Sequence, residues 1–188
     1  MQLFGSHTSP FVRHIRIVLA RNGLPFELIE TDYQQSAMKS PAARVPFLSD
    51  GDRTLTDSLS ILRYLRERAE QPFFPSLDEF DRFLLTDTAL DASVNLFLLE
   101  RDGVGPNQAP YLARQKMRVT QCLQALEDEV QRSWPDPAGD FAIRLGCFLS
   151  WAVFRGRFAL DGLPKLAQFR ERFESDPQVA ASHPSNPG

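Results

Sequence analysis

The sequence predicts an α/β domain followed by an all-helical domain, and three observations carry that prediction. Through about residue 75 the hydrophobic period switches repeatedly between the 2 of a strand and the 3.6 of a helix. An Asp50-Gly51 pair separates two short apolar runs, as in a tight β-reversal. Beyond Asp78 the strand signals almost vanish, and long amphipathic stretches take over.

Met1 to Phe4 is a short strand candidate. Ser9-Pro10 then opens a helix in which Phe11, Ile15, Val18 and Leu19 recur at i, i+4, i+7 and i+8. Ser9 is a natural N-cap with Pro10 at the first helical position. Asn22-Gly23 and Pro25 stop that helix, and Phe26 to Glu30 reads as a second strand. A strand-helix-strand unit of about thirty residues implies two parallel strands. Thr31 to Arg44 is polar and irregular, a loop with a weak helix. Val45-Pro46-Phe47-Leu48, the turn at Asp50-Gly51, and Arg53-Thr54-Leu55-Thr56 make a hairpin, after which Leu59, Ile61, Leu62 and Leu65 form a helical stripe starting near Asp57-Ser58. The order is βαβ, loop, ββα.

Gln71-Pro72-Phe73-Phe74-Pro75 interrupts the pattern, which places one domain over 1–75, a helical domain over 79–184 and a flexible tail over 185–188. One long helix carries Leu84, Leu85, Leu96 and Leu99, and a second runs from Tyr111 to Val130. A third, from about Ala138 to Phe154, is hydrophobic nearly all round, as the central helix of a bundle should be. Leu163-Pro164 opens the last one, through Leu166, Phe169 and Phe173.

Composition narrows the function classes. With 43% hydrophobic and 24% charged residues the chain is globular, not disordered or low-complexity. No apolar run approaches the roughly 18 residues of a membrane span, and Met1 to Gly5 has no basic leader, so a soluble, cytoplasmic protein is expected. A net charge of −3 gives no general attraction to nucleic acid or membrane lipid. Cys122 and Cys147 share no C-x-x-C spacing, and His7, His14 and His183 form no ligand cluster, so no metal is expected. Both cysteines read as small buried apolar side chains in a reducing compartment.

Three segments carry a resemblance. Ser9-Pro10-Phe11-Val12-Arg13, Arg44-Val45-Pro46 and Thr56-Asp57-Ser58-Leu59-Ser60-Ile61 resemble, at matching spacings, signature segments of bacterial glutathione transferases. Leu163-Pro164-Lys165-Leu166, Arg172-Phe173 and Asp176-Pro177 resemble that family's final helix and tail. The resemblance implies a thioredoxin-like N-terminal domain with a helical-bundle C-terminal domain, a homodimer, and glutathione as co-substrate. It is of the serine type: Phe4 stands near where tyrosine-type members carry their hydroxyl, no cysteine stands near Ser9, and Tyr33, Tyr64 and Tyr111 are badly placed as replacements.

Glutathione carries a thiol, two carboxylates and an ammonium, so its site needs a thiolate stabiliser, anion donors and one counter-charge. Ser9 would stabilise the thiolate with its hydroxyl and the helix N-terminus. Alone, Ser9 before Pro10 reads as an ordinary helix cap, and Asp57-Ser58 as an ordinary helix start. In the company of the other segments they read as ligand groups, Ser58 for the γ-glutamyl carboxylate and Asp57 for its ammonium. The resemblance makes Val45-Pro46 a cis bond that exposes the Val45 backbone to the peptide, and sets Phe11 and Arg44 at glutathione, Arg44 on the glycyl carboxylate or simply solvated. His7, Asn95 and Trp151 are candidates for the second-substrate pocket, with core packing the stronger reading of Trp151. Arg13 and Arg16 read as exposed helix residues. One departure stands out: the family's Ser/Thr-x-x-Asp capping box has its acid at Asp140 but Pro137 at the hydroxyl position, leaving Asp136 to cap.

The resulting expectation is an enzyme conjugating glutathione thiolate to small hydrophobic electrophiles. A non-catalytic, regulatory protein on the same fold is the alternative. A glutathione-dependent isomerase or dehalogenase ranks last, because Gly5-Ser6-His7-Thr8-Ser9 lacks the serine-rich run of the isomerases.

Overall fold

The computed structural model describes residues 1–186 and divides into two compact units, Met1–Pro75 joined by the segment from Ser175 onward, and Ser76–Glu174. The first unit contains β1 (Gln2–Phe4), α1 (Pro10–Arg21), β2 (Glu27–Ile29), α2 (Tyr33–Lys39), β3 (Phe47–Asp50), β4 (Arg53–Leu55) and α3 (Ser58–Arg68). The second holds α4 (Leu77–Arg101), α5 (Pro110–Arg132), α6 (Asp140–Phe154) and α7 (Pro164–Glu174). A four-residue helix, α8 (Pro177–Ala180), returns to the first unit.

The sheet has the order β2-β1-β3-β4, with β1 and β2 parallel and both later pairs antiparallel. This is the thioredoxin-like arrangement. Leu3 faces Leu48 across β1 and β3, both fully buried, and each such leucine contributes about 1.5 to 3 kcal/mol. The next pair, Phe4 and Phe47, stacks at 4.4 Å. The hairpin loop is Gly51-Asp52, one residue later than the sequence suggests, and Gly51 takes the left-handed φ of +58° that a two-residue reversal needs. The weak helix of the polar stretch is real: Asp32 caps α2 by accepting from Gln35 N at 2.8 Å.

In the helical unit, Ser76 and Glu79 stand at capping-box spacing, and the Ser76 hydroxyl accepts from Glu79 N at 3.1 Å to start α4. Every residue of α6 from Asp140 to Ala152 is buried, so the helix is central, as its all-round hydrophobicity predicts. Two features of it are invisible to a periodicity argument. Arg144 is fully buried, its guanidinium 4.9 Å from the Phe83 ring centroid and its Nε 3.5 Å from Asp87. Gly146 has the Phe173 ring of α7 where a side chain would be, with ring carbons 2.4 Å from a would-be Cβ.

Two expectations need correction, the end of the helical domain and the cap of α6. The helical domain does not run to residue 184: it ends at Glu174, and the following segment clusters with the first unit because Arg13 and Arg21 of α1 bind it. Within the tail expected over 185–188, Asn186 Nδ2 donates to Ala180 O at 3.1 Å, and residues 187–188 lie outside the described residues. Asp136 does not cap α6: its carboxylate accepts from Ala138 N at 3.0 Å in the preceding turn, and the N-cap is Gly139 with no side-chain bond.

Candidate functional site

The site is built where β1 ends, α1 begins and β3 starts. Because Phe4 pairs with Phe47, the residues just outside that pair, Gly5 on one strand and Val45-Pro46 on the other, are brought side by side. Gly5 allows this approach. A Cβ there would lie 2.4 Å from Val12 Cγ2 and 3.4 Å from Val45 Cβ, so the first turn of α1, β1 and Val45 converge on a point that only glycine leaves open. The Val45–Pro46 bond is cis.

Ser9 is the N-cap of α1, with Pro10 at N1. Its Oγ accepts from Val12 N at 3.4 Å, a long bond, and its backbone carbonyl accepts from Arg13 N at 2.9 Å. The side chain is half-buried, at the positive end of a twelve-residue helix. Among the described residues its O–H donates to no protein acceptor, so a hydroxyl donor and a helix terminus stand together at one place. Phe11 follows it in the first turn, half-buried.

The second anchor is the start of α3. Asp57 caps it, Oδ1 accepting from Leu59 N at 2.8 Å, and Ser58, the first helical residue, is buried. Arg44, expected at the glycyl carboxylate or solvated, forms an ion pair with Asp57 Oδ2. The side chains are 57% and 45% exposed, so this pair is worth about 0 to 1 kcal/mol. That is less than the roughly 1.5 to 3 kcal/mol of a hydrogen bond to a charged group, so an incoming ammonium can compete for Asp57.

The three residues assigned to a second substrate are not gathered within either unit. His7 is held by Glu30, which accepts from its backbone N–H at 3.1 Å and stands 3.3 Å from Nδ1. Asn95 is exposed on α4 and donates to Asp91 at 3.0 Å. Trp151 is buried in the core of the helical unit, edge-on to Phe97 at 5.8 Å, which is the packing reading of that residue. A cavity of about 330 Å³ in the helical unit, walled by Leu96, Glu100, Lys116, Val119, Leu123 and Arg157, has none of the three among its lining residues.

Phe4 carries no hydroxyl, and that of Tyr64 is engaged away from α1. Phe4 is stacked on Phe47 with Lys39 Nζ 5.5 Å from its centroid, and the Tyr64 hydroxyl donates to Asp50 at 2.5 Å. Among the described residues no group of three or more His, Cys, Asp or Glu could hold a metal. Nor, among the described residues, is any helix long and apolar enough to cross a membrane.

Of the two arginines expected to be exposed on α1, Arg16 is half-buried and Arg13 is buried. It is 1% exposed, not solvated, and donates to Ser182 Oγ at 3.2 Å and Val179 O at 3.1 Å. A signal was present: Arg13 lies among Val12, Ile15 and Ile17 on a helix buried on most of its faces, where a cation must find partners.

Comparison with known proteins agrees with this architecture. Residues 3–73 match the family described as glutathione S-transferase, N-terminal domain. Glutathione S-transferase theta-1 of Bos taurus is 27% identical over 93% of this chain and 82% of its own length. The stringent starvation protein A homolog of Haemophilus ducreyi is 35% identical over 38% of this chain and 36% of its own. A glutathione S-transferase of Methylobacterium radiotolerans, crystallised with glutathione sulfonate, superposes with a TM-score of 0.83 at 25% identity, over 97% of this chain and 94% of that one. Residues 3–73 thus match the glutathione S-transferase N-terminal domain family, and the chain has the glutathione S-transferase fold, a four-stranded thioredoxin-like sheet with its helices and an all-helical unit.

Proposed function

We propose that this protein is a serine-type glutathione transferase, a cytoplasmic homodimer that joins glutathione to small hydrophobic electrophiles. The observation that carries the reading is Ser9: a hydroxyl with an unused donor at the positive end of α1, in a turn that Gly5 holds against Val45. The glutathione sulfonate complex of the Methylobacterium glutathione S-transferase adds support for the ligand class.

A thiol with a reference pKa of about 8.5 must fall by about 1.5 to 2 to be mostly ionised at neutral pH, or about 2 to 3 kcal/mol of differential stabilisation. One charge-assisted hydrogen bond from Ser9 plus the α1 terminus is of that size. The Val45 backbone pairs with the peptide, Ser58 takes the γ-glutamyl carboxylate, Asp57 takes the ammonium, and Arg44, once released from Asp57, reaches the glycyl carboxylate. The thiol proton leaves to solvent. The thiolate sulfur then forms a bond to the electrophilic carbon, whose leaving group departs with its electron pair, and no covalent enzyme intermediate is needed.

Ultraviolet thiolate difference titration with glutathione, run on the wild type and Ser9→Ala, tests this. The wild type should give a saturable thiolate signal that the variant lacks. Conjugation in Ser9→Ala should fall about 10- to 100-fold, or about 1.4 to 2.8 kcal/mol, with glutathione affinity changed by no more than about threefold. An unchanged rate removes Ser9 from the mechanism.

The second reading is a non-catalytic, protein-interaction role. It draws on the Arg44–Asp57 ion pair, which neutralises the carboxylate the ammonium would need, and on the partial likeness to the stringent starvation protein A homolog. A folded protein with no thiolate signal and no turnover would favour it.

A further inference from the structure

We infer that Arg13 is a positioning residue, and that through it the segment from Ser175 to Asn186 sets how tightly the Ser9 turn holds the glutathione sulfur. The inference rests on the reading of Ser9 given above. It starts from two adjacent residues of α1 that point to different neighbours. Val12 meets Gly5, against which Val45 also lies, and so fixes one side of the first turn. Arg13 fixes another: its guanidinium reaches into α8 and the turn beyond, donating from Nε to Ser182 Oγ and from Nη2 to Val179 O.

The partners are themselves held. Ser182 Oγ also donates to Val179 O at 2.7 Å, and Val179 is fully buried. One helical span along α1, Arg21 pairs with Asp176 at 2.8 Å, and Asp176 in turn caps α8 by accepting from Gln178 N at 2.8 Å. Two arginines of α1 therefore clamp both ends of this segment. The clamp bears on the site because the Arg13 backbone N–H is bonded to Ser9 O and the Val12 N–H to Ser9 Oγ. A shift of the Arg13 side chain is thus a shift of the turn whose hydroxyl must lie within about 3 Å of a thiolate, where small misplacements are costly. Lysine cannot replace this fork, since one ammonium does not reproduce two donors held in a plane.

The test uses the full chain with three substitutions: Arg13→Lys, Ser182→Ala, and Leu166→Ala. The last truncates a buried leucine of the helical unit and serves as a control for lost stability. Thiolate difference spectra with glutathione are recorded across pH, KM is measured for glutathione and for the electrophile, and hydrogen exchange is followed at the Val12 and Arg13 amides. Arg13→Lys should move the thiolate midpoint to higher pH, raise KM for glutathione about tenfold with the electrophile KM unchanged, and speed exchange at those amides. Ser182→Ala should do the same more weakly, about threefold. Leu166→Ala should lower Tm and leave all three readouts in place. If Arg13→Lys behaves like Leu166→Ala, the role is structural and the inference is overturned. A wild type without a thiolate signal would instead defeat the Ser9 reading, and this inference with it, while unaltered exchange at Val12 and Arg13 in Arg13→Lys would overturn the clamp alone.

Discussion

Gly5 and Val12 meet so closely that no side chain fits between them: a Cβ on Gly5 would lie 2.4 Å from Val12 Cγ2. Val12 is fully buried, with no room to retreat. Gly5→Ala should therefore cost about 1 to 3 kcal/mol in denaturant unfolding, and weaken glutathione binding by separating the Ser9 turn from Val45. An alanine variant with wild-type stability and affinity would show that the first turn of α1 adjusts freely.

A second close approach, in the helical unit, makes an independent prediction. Gly146→Ala would drive a methyl group into the Phe173 ring, 2.4 Å from a would-be Cβ, and should destabilise by about 1 to 3 kcal/mol. The smaller Phe173→Leu should suppress part of that loss, so the double variant should be more stable than the sum of the single effects predicts. Strict additivity in a double-mutant cycle would refute the steric account.

The first turn of helix α7 is held by a carboxylate from α5. The buried Glu127 carboxylate accepts from Lys165 N and Leu166 N, both at 2.8 Å. Glu127→Ala leaves those donors without an acceptor and should cost about 2 to 4 kcal/mol, read from the thermal midpoint, with Glu127→Gln recovering part of it.

Three carboxyls are held below their ordinary values, and their signs agree. Asp50 is lowered first by the Tyr64 hydroxyl and then by Arg68, against some burial. Glu100 is lowered by Arg157 in the same way. At Asp176 burial pushes upward, but the Gln178 N–H, Arg21 and the Val179 N–H together outweigh it. A carboxyl lowered in the folded state adds stability that is complete above its unfolded pKa and lost as pH falls through the folded one. Stability should therefore be flat from neutrality to about pH 5 and decline below about pH 4. Asp176→Asn should flatten that decline, and an unaltered acid profile in the variant would show that Asp176 titrates normally.

Neither cysteine is in a disulfide and both are buried, and burial pushes the Cys122 thiol upward, away from the reactive thiolate. A disulfide-exchange reagent at neutral pH should label neither until denaturant is added, and then both. Rapid labelling of the native protein would contradict the packing at α5 and α6.

Most of the helices and strands were legible because each carries its own boundary chemistry. Ser9-Pro10, Asp57-Ser58 and the Asp50-Gly51 reversal are local signals, read from neighbours a few residues apart, and the helices and hairpin they mark are observed, the hairpin loop one residue later. The same locality explains the errors. Asp136, judged by its position before α6, bonds to Ala138 in the preceding turn instead. Arg13, judged by its charge, is buried against partners that stand 169 and 166 residues away in the chain. The candidate site was legible to the extent that its groups begin helices, whereas the Arg44–Asp57 pair, made across thirteen residues of loop and hairpin, was not.

What the sequence determined by itself was the local conformational menu: which residues start and stop helices, where the chain reverses, which faces are apolar, and hence a βαβ-ββα unit followed by helices. These follow from dihedral preferences and periodicity, which act over single turns. Only the tertiary structure decided that Gly5 admits Val12, that Gly146 admits Phe173, that Arg144 is buried over Phe83, and that the chain from Ser175 onward returns to α1. Each of these depends on which distant surfaces meet, and in each the residue type acquires its meaning from a partner that local spacing does not name.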